Sequence, residues 1–164
     1  MMKRLVLIGI AIAIVLSSVI SCAPNDEKEQ AAVTAADKWL TLVDTGKYLE
    51  SWQEADDYFK SSIQQGQWGQ VLQSARTPMG KVISRKLRTK TYKTSPPDMP
   101  RGQYFELQFE TFFQNTNVME TVVLMFDKDG SWRVSGYHYK SPRYSRYSQM
   151  KMVIDDIGDG LLGD

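Results

Sequence analysis

Residues 103–139, QYFELQFETFFQNTNVMETVVLMFDKDGSWRVSGYHY, decide the fold. Apolar and polar residues alternate through three runs, Gln103–Phe113, Val118–Phe126 and Ser131–Tyr139, each the length of one strand. Between the last two, Lys128-Asp129-Gly130 suits a three-residue hairpin loop closed by a glycine in the left-handed region. That loop pairs Asp127 with Ser131. Counting back, Phe126 faces Trp132, Leu124 faces Val134, Val122 faces Gly136 and Glu120 faces His138. A four-residue loop at Gln114–Asn117 pairs Phe113 with Val118. It sets Phe105 against Phe126, Leu107 against Leu124, Phe109 against Val122 and Thr111 against Glu120. Both hairpins place the same apolar set on one face, an agreement that a one-residue slip would destroy.

A first strand precedes this meander, from Lys81 to Thr94, followed by a Pro-rich loop from Ser95 to Gly102. Lys86, Arg88 and Lys90 alternate along it and read as the charged face of an edge strand, which blocks edge-to-edge aggregation. Upstream the period changes to helical. Asp26 with Glu29 resembles a capping box, and Ala32, Ala36, Trp39, Leu40 and Val43 form one stripe that Gly46 ends. Tyr48, Trp52, Ala55 and Phe59 give a second stripe; Trp68, Val71, Leu72 and Ala75 give a third, ended by Pro78 and Gly80. The expected class is α+β: three N-terminal helices packed on a curved four-stranded antiparallel meander.

The N-terminus is an address. Lys3 and Arg4 lead into an apolar run from Leu5 to Leu16, and Val19-Ile20-Ser21-Cys22 follows. This is the layout of a secretory signal, and its end resembles the lipobox of bacterial lipoproteins, in which the cysteine takes a diacylglycerol and becomes the new N-terminus. Two alternatives stay open: an uncleaved membrane helix, for which Leu5–Ile20 is just short, and simple secretory cleavage. All three export the rest of the chain. The lipoprotein reading makes Cys22 the lipidation site and the membrane a partner. It places the protein in the cell envelope, at the outer membrane facing the periplasm if the host has two membranes. The organisation expected is a signal over 1–22, a spacer over 23–30, a domain over 31–140 and an extension over 141–164. That extension opens with a tandem triplet, Arg143-Tyr144-Ser145 and Arg146-Tyr147-Ser148.

Composition narrows the chemistry. Apolar residues are 42% of the chain, enough for one ordinary core. Without Lys3 and Arg4 there remain 18 basic and 19 acidic residues, a net charge of −1, which argues against a nucleic-acid partner. Cys22 is the single cysteine. Once acylated it leaves no thiol for nucleophilic, metal or redox chemistry. One histidine and scattered carboxylates offer no metal cluster, and no phosphate loop or nucleophile elbow is present; no cofactor is expected. What remains is Glu120 and His138, with Thr111 beside them on the inner face. A carboxylate that orients an imidazole can serve acid–base chemistry, or simply orient a ligand. Arg76 and Arg85 flank the turn into the sheet and are expected to cap the helix end or pair with carboxylates. A glycine at 136 marks room or a bulge, and a bulge there would turn His138 to the other face.

Several stretches together carry a family resemblance. Asp37-Lys38-Trp39-Leu40-Thr41-Leu42-Val43-Asp44-Thr45-Gly46-Lys47-Tyr48 leads into Ser51-Trp52. Arg76-Thr77-Pro78-Met79-Gly80, Ser84-Arg85, Glu120-Thr121-Val122 and Asp129-Gly130-Ser131-Trp132-Arg133-Val134-Ser135-Gly136-Tyr137 follow. In order, these resemble the bacterial family known as domain of unknown function 4019, over roughly Ala32 to Lys140. The resemblance implies an exported, often lipid-anchored domain and supplies no catalytic residues. Helices followed by a curved antiparallel sheet also look like the cone-shaped fold of nuclear transport factor 2, a group that includes isomerases, dehydratases, ligand binders and interaction modules. Fold alone does not choose among them. The reading favoured is a non-enzymatic binding or scaffold module, for a small apolar ligand in the cone or an envelope protein on the sheet. The alternatives are an acid–base enzyme of isomerase or dehydratase type using Glu120 and His138, and a homodimer formed through the sheet.

Overall fold

The structure, a computed structural model, describes residues 24–140. The signal, Cys22 and the extension over 141–164 lie outside the described residues. The chain runs α1 (Pro24–Asp44), α2 (Tyr48–Gln53), α3 (Asp57–Ser62), α4 (Gln65–Arg76), a 3-10 turn (Thr77–Met79), then β1 (Val82–Thr94), β2 (Gln103–Phe113), β3 (Asn117–Phe126) and β4 (Trp132–Lys140). The strands form one antiparallel sheet in the order β1-β2-β3-β4. Helices followed by an antiparallel meander are what the stripes and alternation required.

The α1 stripe is buried in full: Ala32, Ala36, Trp39, Leu40 and Val43 enter the core. They meet Phe105, Leu107, Phe109, Val122, Leu124, Trp132 and Val134 on the inner face of the sheet. Each such side chain removed from water contributes about 1.5–3 kcal/mol. The second stripe divides in two at Glu54–Asp56. Asp56 leaves the helix to cap α3, accepting from the Phe59 amide at 2.7 Å while its own amide donates to the Val134 carbonyl at 2.9 Å. The third stripe is rotated: Val71 is 49% exposed, and Arg76 is buried with Trp68 and Leu72.

Aromatic side chains pack between the helices and the inner face of the sheet. Trp39 lies 5.9 Å from Trp68 and 5.4 Å from Tyr137 between ring centroids, and Phe59 lies 4.9 Å from Trp68. Ser51, wholly buried, organises their polar edges. Trp39 Nε1 donates to its carbonyl at 2.7 Å and Trp68 Nε1 to its hydroxyl at 3.0 Å.

β2 and β3 keep the expected faces, while β4 beyond Val134 and β1 beyond Leu87 change face, and the register differs from that expected. The three-residue loop is present: the Asp127 amide donates to the Ser131 carbonyl at 2.8 Å, and Gly130 has φ 83°. Between β2 and β3 the tip is two residues, Gln114-Asn115, with the Phe113 amide bonded to the Thr116 carbonyl at 2.7 Å. Phe105 therefore faces Leu124, Leu107 faces Val122, Phe109 faces Glu120 and Thr111 faces Val118. This is a shift of two, which leaves every side chain on its face. The tip is tight because it docks. Gln114 and Asn115 amides donate to the Lys81 and Met79 carbonyls at 2.9 and 3.0 Å. A Cβ on Gly80, at φ 77°, would sit 2.9 Å from the Gln114 side-chain oxygen.

Between β3 and β4 the pairing holds to Leu124–Val134, then shifts by one: Val123 faces Gly136, Val122 faces Tyr137, Thr121 faces His138 and Glu120 faces Tyr139. Ser135 is the extra residue of a bulge. It sits where α3 docks, since the Val134 carbonyl is taken by Asp56. A bulge at Arg88 in β1 likewise parts the expected basic face. Arg88 pairs with Glu110, whereas Lys90 pairs with Glu29 on α1. On the outer face the 95–102 loop reaches over one end of the sheet: Tyr58 donates to the Asp98 carbonyl at 3.1 Å and Tyr104 to the Pro100 carbonyl at 2.7 Å.

Candidate functional site

Four elements aim charge at one buried point. Glu120 projects inward from β3 with 0% exposure. Arg76 ends α4 on its buried side, and Arg85 projects inward from β1 opposite Thr111. Asp44 is the last residue of α1, where a carboxylate faces the negative end of the helix and gains from cationic partners.

Their contacts saturate Glu120. On Oε1, Arg76 Nη2 donates at 2.9 Å and Tyr137 Oη at 2.5 Å. On Oε2, Arg85 donates through Nε at 2.9 Å and lies within 2.8 Å through Nη2, and the Thr111 hydroxyl donates as well. Arg85 also grips Asp44 with both terminal nitrogens, at 2.6 and 3.0 Å, while Arg76 Nη1 lies 3.3 Å from Asp44. Two carboxylates meet two guanidiniums, so the cluster is neutral overall. The Arg76 guanidinium also lies 4.9 Å above the Phe113 ring.

Burial alone would raise the Glu120 carboxyl. The Arg76 and Arg85 charges, with the Thr111 and Tyr137 hydrogen bonds, outweigh it and hold the group below the usual carboxylate range. Burial and the adjacent Glu120 charge push the Tyr137 phenol well above its ordinary value. Glu120 is therefore an ionised acceptor with all its partners supplied by protein. It has neither a proton to give nor an open lone pair for a substrate, as acid–base catalysis requires.

Of the three residues singled out in the sequence, the structure brings together Glu120 and Thr111. His138 is not with them. The Ser135 bulge turns it to the outer face, opposite Thr121, where it is exposed. Partial burial and the Lys140 charge lower its pKa, with Glu106 opposing. Tyr139 takes the register position opposite Glu120 expected of His138, and Tyr137, opposite Val122, supplies the polar contact to Glu120. The expected pairing of Arg76 and Arg85 with carboxylates is present; Asp44 and Tyr137 are the members that sequence reasoning missed. Tyr137 was one bulge away from being found. Asp44 carried no signal beyond its place before Gly46.

The large open concavity lies elsewhere. A groove of about 1140 Å³ runs between α1, α2 and the start of β4. Ala31, Ala35 and Leu42 present apolar surface, backed by the buried Trp39, Trp132 and Val134, and Asp26, Glu27, Glu50 and Glu54 outnumber Lys38 and Arg133. Glu120 does not line it. A smaller cleft of about 330 Å³ between α1 and the β1–β2 hairpin touches Arg85, whose guanidinium is already committed to Asp44 and Glu120. Among the described residues no three His, Cys, Asp or Glu side chains gather as a metal site.

Residues 35–137 match the family described as "Protein of unknown function (DUF4019)". No curated protein matches the chain. Among solved structures the chain is similar to ActVI-ORFA from Streptomyces coelicolor, at 8% identity and a TM-score of 0.48, covering 71% of this chain and 98% of that one.

Proposed function

The chain belongs to the DUF4019 family, and on that premise we propose that it is a lipid-anchored binding module of the cell envelope, held by Cys22, that retains a ligand instead of catalysing a reaction. The observation that carries this reading is the separation of charge from access. Glu120, the carboxylate placed for acid–base work, is sealed among Arg76, Arg85, Thr111 and Tyr137. The large groove contains no part of that cluster, and the smaller cleft reaches only Arg85, whose guanidinium is already committed to Asp44 and Glu120. The groove's volume is that of a ligand site, and its chemistry suits a molecule with an apolar body and a cationic end.

Native mass spectrometry of residues 23–164, recovered from an envelope extract, tests this. The expected result is a reproducible added mass that survives His138→Ala and disappears in Ala35→Trp, which fills the groove, and in Glu54→Lys, which reverses its rim. An added mass indifferent to both groove variants would overturn the site. A bare single-chain mass would overturn the reading, and a bare doubled mass would replace it with the sheet-mediated pair.

A further inference from the structure

We infer that the exposed face of α4 is a contact between two copies of this chain, packed helix to helix and antiparallel when both are anchored in one membrane. The inference rests on the lipid anchor proposed above. It does not involve the groove, which no residue of α4 lines.

The sequence marks this face by what it lacks. Between Lys60 and Lys81 the one charged residue is Arg76, and Arg76 is buried against Glu120. The solvent side of α4 therefore carries no charge. Elsewhere a helix of this chain meets water with charge, as α1 does through Glu27, Asp37 and Lys38. The outward stripe of α4 is Gln67, Gln70, Val71 and Ser74, the i, i+3, i+4, i+7 spacing of one helix face. All four are exposed, Val71 to 49%. Loss of charge around an exposed aliphatic side chain is the compositional mark of an interface centre.

The same chemistry chooses the occupant. A face without charge neither repels its own copy nor selects a charged partner. Its amides and hydroxyl both donate and accept, so the face complements itself. A twofold axis between Gln70 and Val71 makes the contact isologous. It sets Gln67 opposite the partner's Ser74, long against short, and Gln70 opposite the partner's Val71, with the helix dipoles opposed. The contact is small. α4 has 12 residues, about 18 Å of helix, and one such face covers well under the roughly 800 Å² per partner of a stable interface. The pair is therefore weak in free solution. Confining anchored copies to one membrane surface raises their effective concentration as a tether does, and there a weak contact is occupied.

The test uses the full-length protein, expressed with its signal in its own envelope and treated with a short bis-maleimide. Wild type sets the background from Cys22. The expected result is a covalent pair of doubled mass with Gln70→Cys that Phe112→Cys, on the outer face of the sheet, does not give. Adding Gln67→Glu and Ser74→Glu to Gln70→Cys should cut the pair about tenfold, because like charges then meet across the axis. Adding Gln67→Glu and Ser74→Lys should restore it. The two positions lie two turns apart on one helix and both are exposed, so the urea midpoint should stay unchanged in either variant. An equal link through Phe112→Cys, a link from Gln70→Cys to another protein, no link, or equal loss in both charge variants would overturn the contact. The N-terminal peptide of the same sample reports whether the lipid is present, so a missing anchor and a missing contact are told apart.

Discussion

At the scale of single residues, Glu120 is the side chain on which structural and catalytic readings diverge. A fully buried carboxylate with two arginines and two hydroxyls is stable only while every partner is present. Removing one member of a buried ion pair leaves its partner uncompensated, at a cost of roughly 3–5 kcal/mol. Glu120→Gln should therefore lower the urea midpoint sharply, while His138→Ala, on the exposed outer face, should stay within about 0.5 kcal/mol. Equal effects would return His138 to the site. The pH dependence has a definite sign. Because the folded-state pKa of Glu120 is lowered, its contribution is complete above the unfolded value near 4.3 and is lost as pH falls through the folded one. Wild type should lose stability below about pH 4, the region of the unfolded value, and Glu120→Gln should lose measurably less over the same interval. Equilibrium unfolding of both proteins at several acid pH values checks this.

At the scale of elements, the faces of β2 and β3 were legible; the offsets between strands, and with them the face of β4 beyond Val134, were not. Alternation assigns Phe105, Leu107, Phe109, Thr111, Glu120, Val122 and Leu124 to one face whatever the loop length, provided slips are even. The β2–β3 shift of two is even because the Gln114-Asn115 tip is held by carbonyls of Met79 and Lys81, groups far away in sequence. The β3–β4 bulge is odd, and its cause is also tertiary: the α3 N-terminus takes the Val134 carbonyl. Gly136 signalled that something happens there, but only the docked helix says that Ser135 is the extra residue. The divided second helix has the same origin, since Asp56 is worth more as a cap and sheet contact than as one more helical residue. Asp56→Ala should accordingly cost about 1 kcal/mol through the cap alone. It should also raise amide exchange in both α3 and the Val134–Gly136 segment. Exchange confined to α3 would mean that the bulge does not depend on this contact.

At the scale of the whole molecule, the described domain has two ends with different duties. The start of α1 is fastened beside the β1–β2 turn: Lys28 donates to the Gln103 side chain at 3.1 Å and sits 5.7 Å over Phe126, and Glu29 pairs with Lys90. The charged cluster and the docked hairpin tip lie toward the other end of the sheet. They are separated by the run of β2, 11 residues or roughly 36 Å of strand. On the proposal that Cys22 is the lipid anchor, the tether would hold the Phe126 end toward the membrane. The groove begins at Asp26, so its mouth would lie next to the lipid and a ligand could pass between them without crossing the envelope. Detergent phase separation distinguishes the three readings of the signal. The acylated protein should enter the detergent phase with its N-terminal peptide heavier by a lipid, and Cys22→Ser should abolish the added mass. A Cys22→Ser protein that still enters the detergent phase, with both forms carrying residues 1–21, would establish an uncleaved membrane helix. Wild type left in the aqueous phase would establish simple secretion, and in that case the groove would work without a membrane beside it.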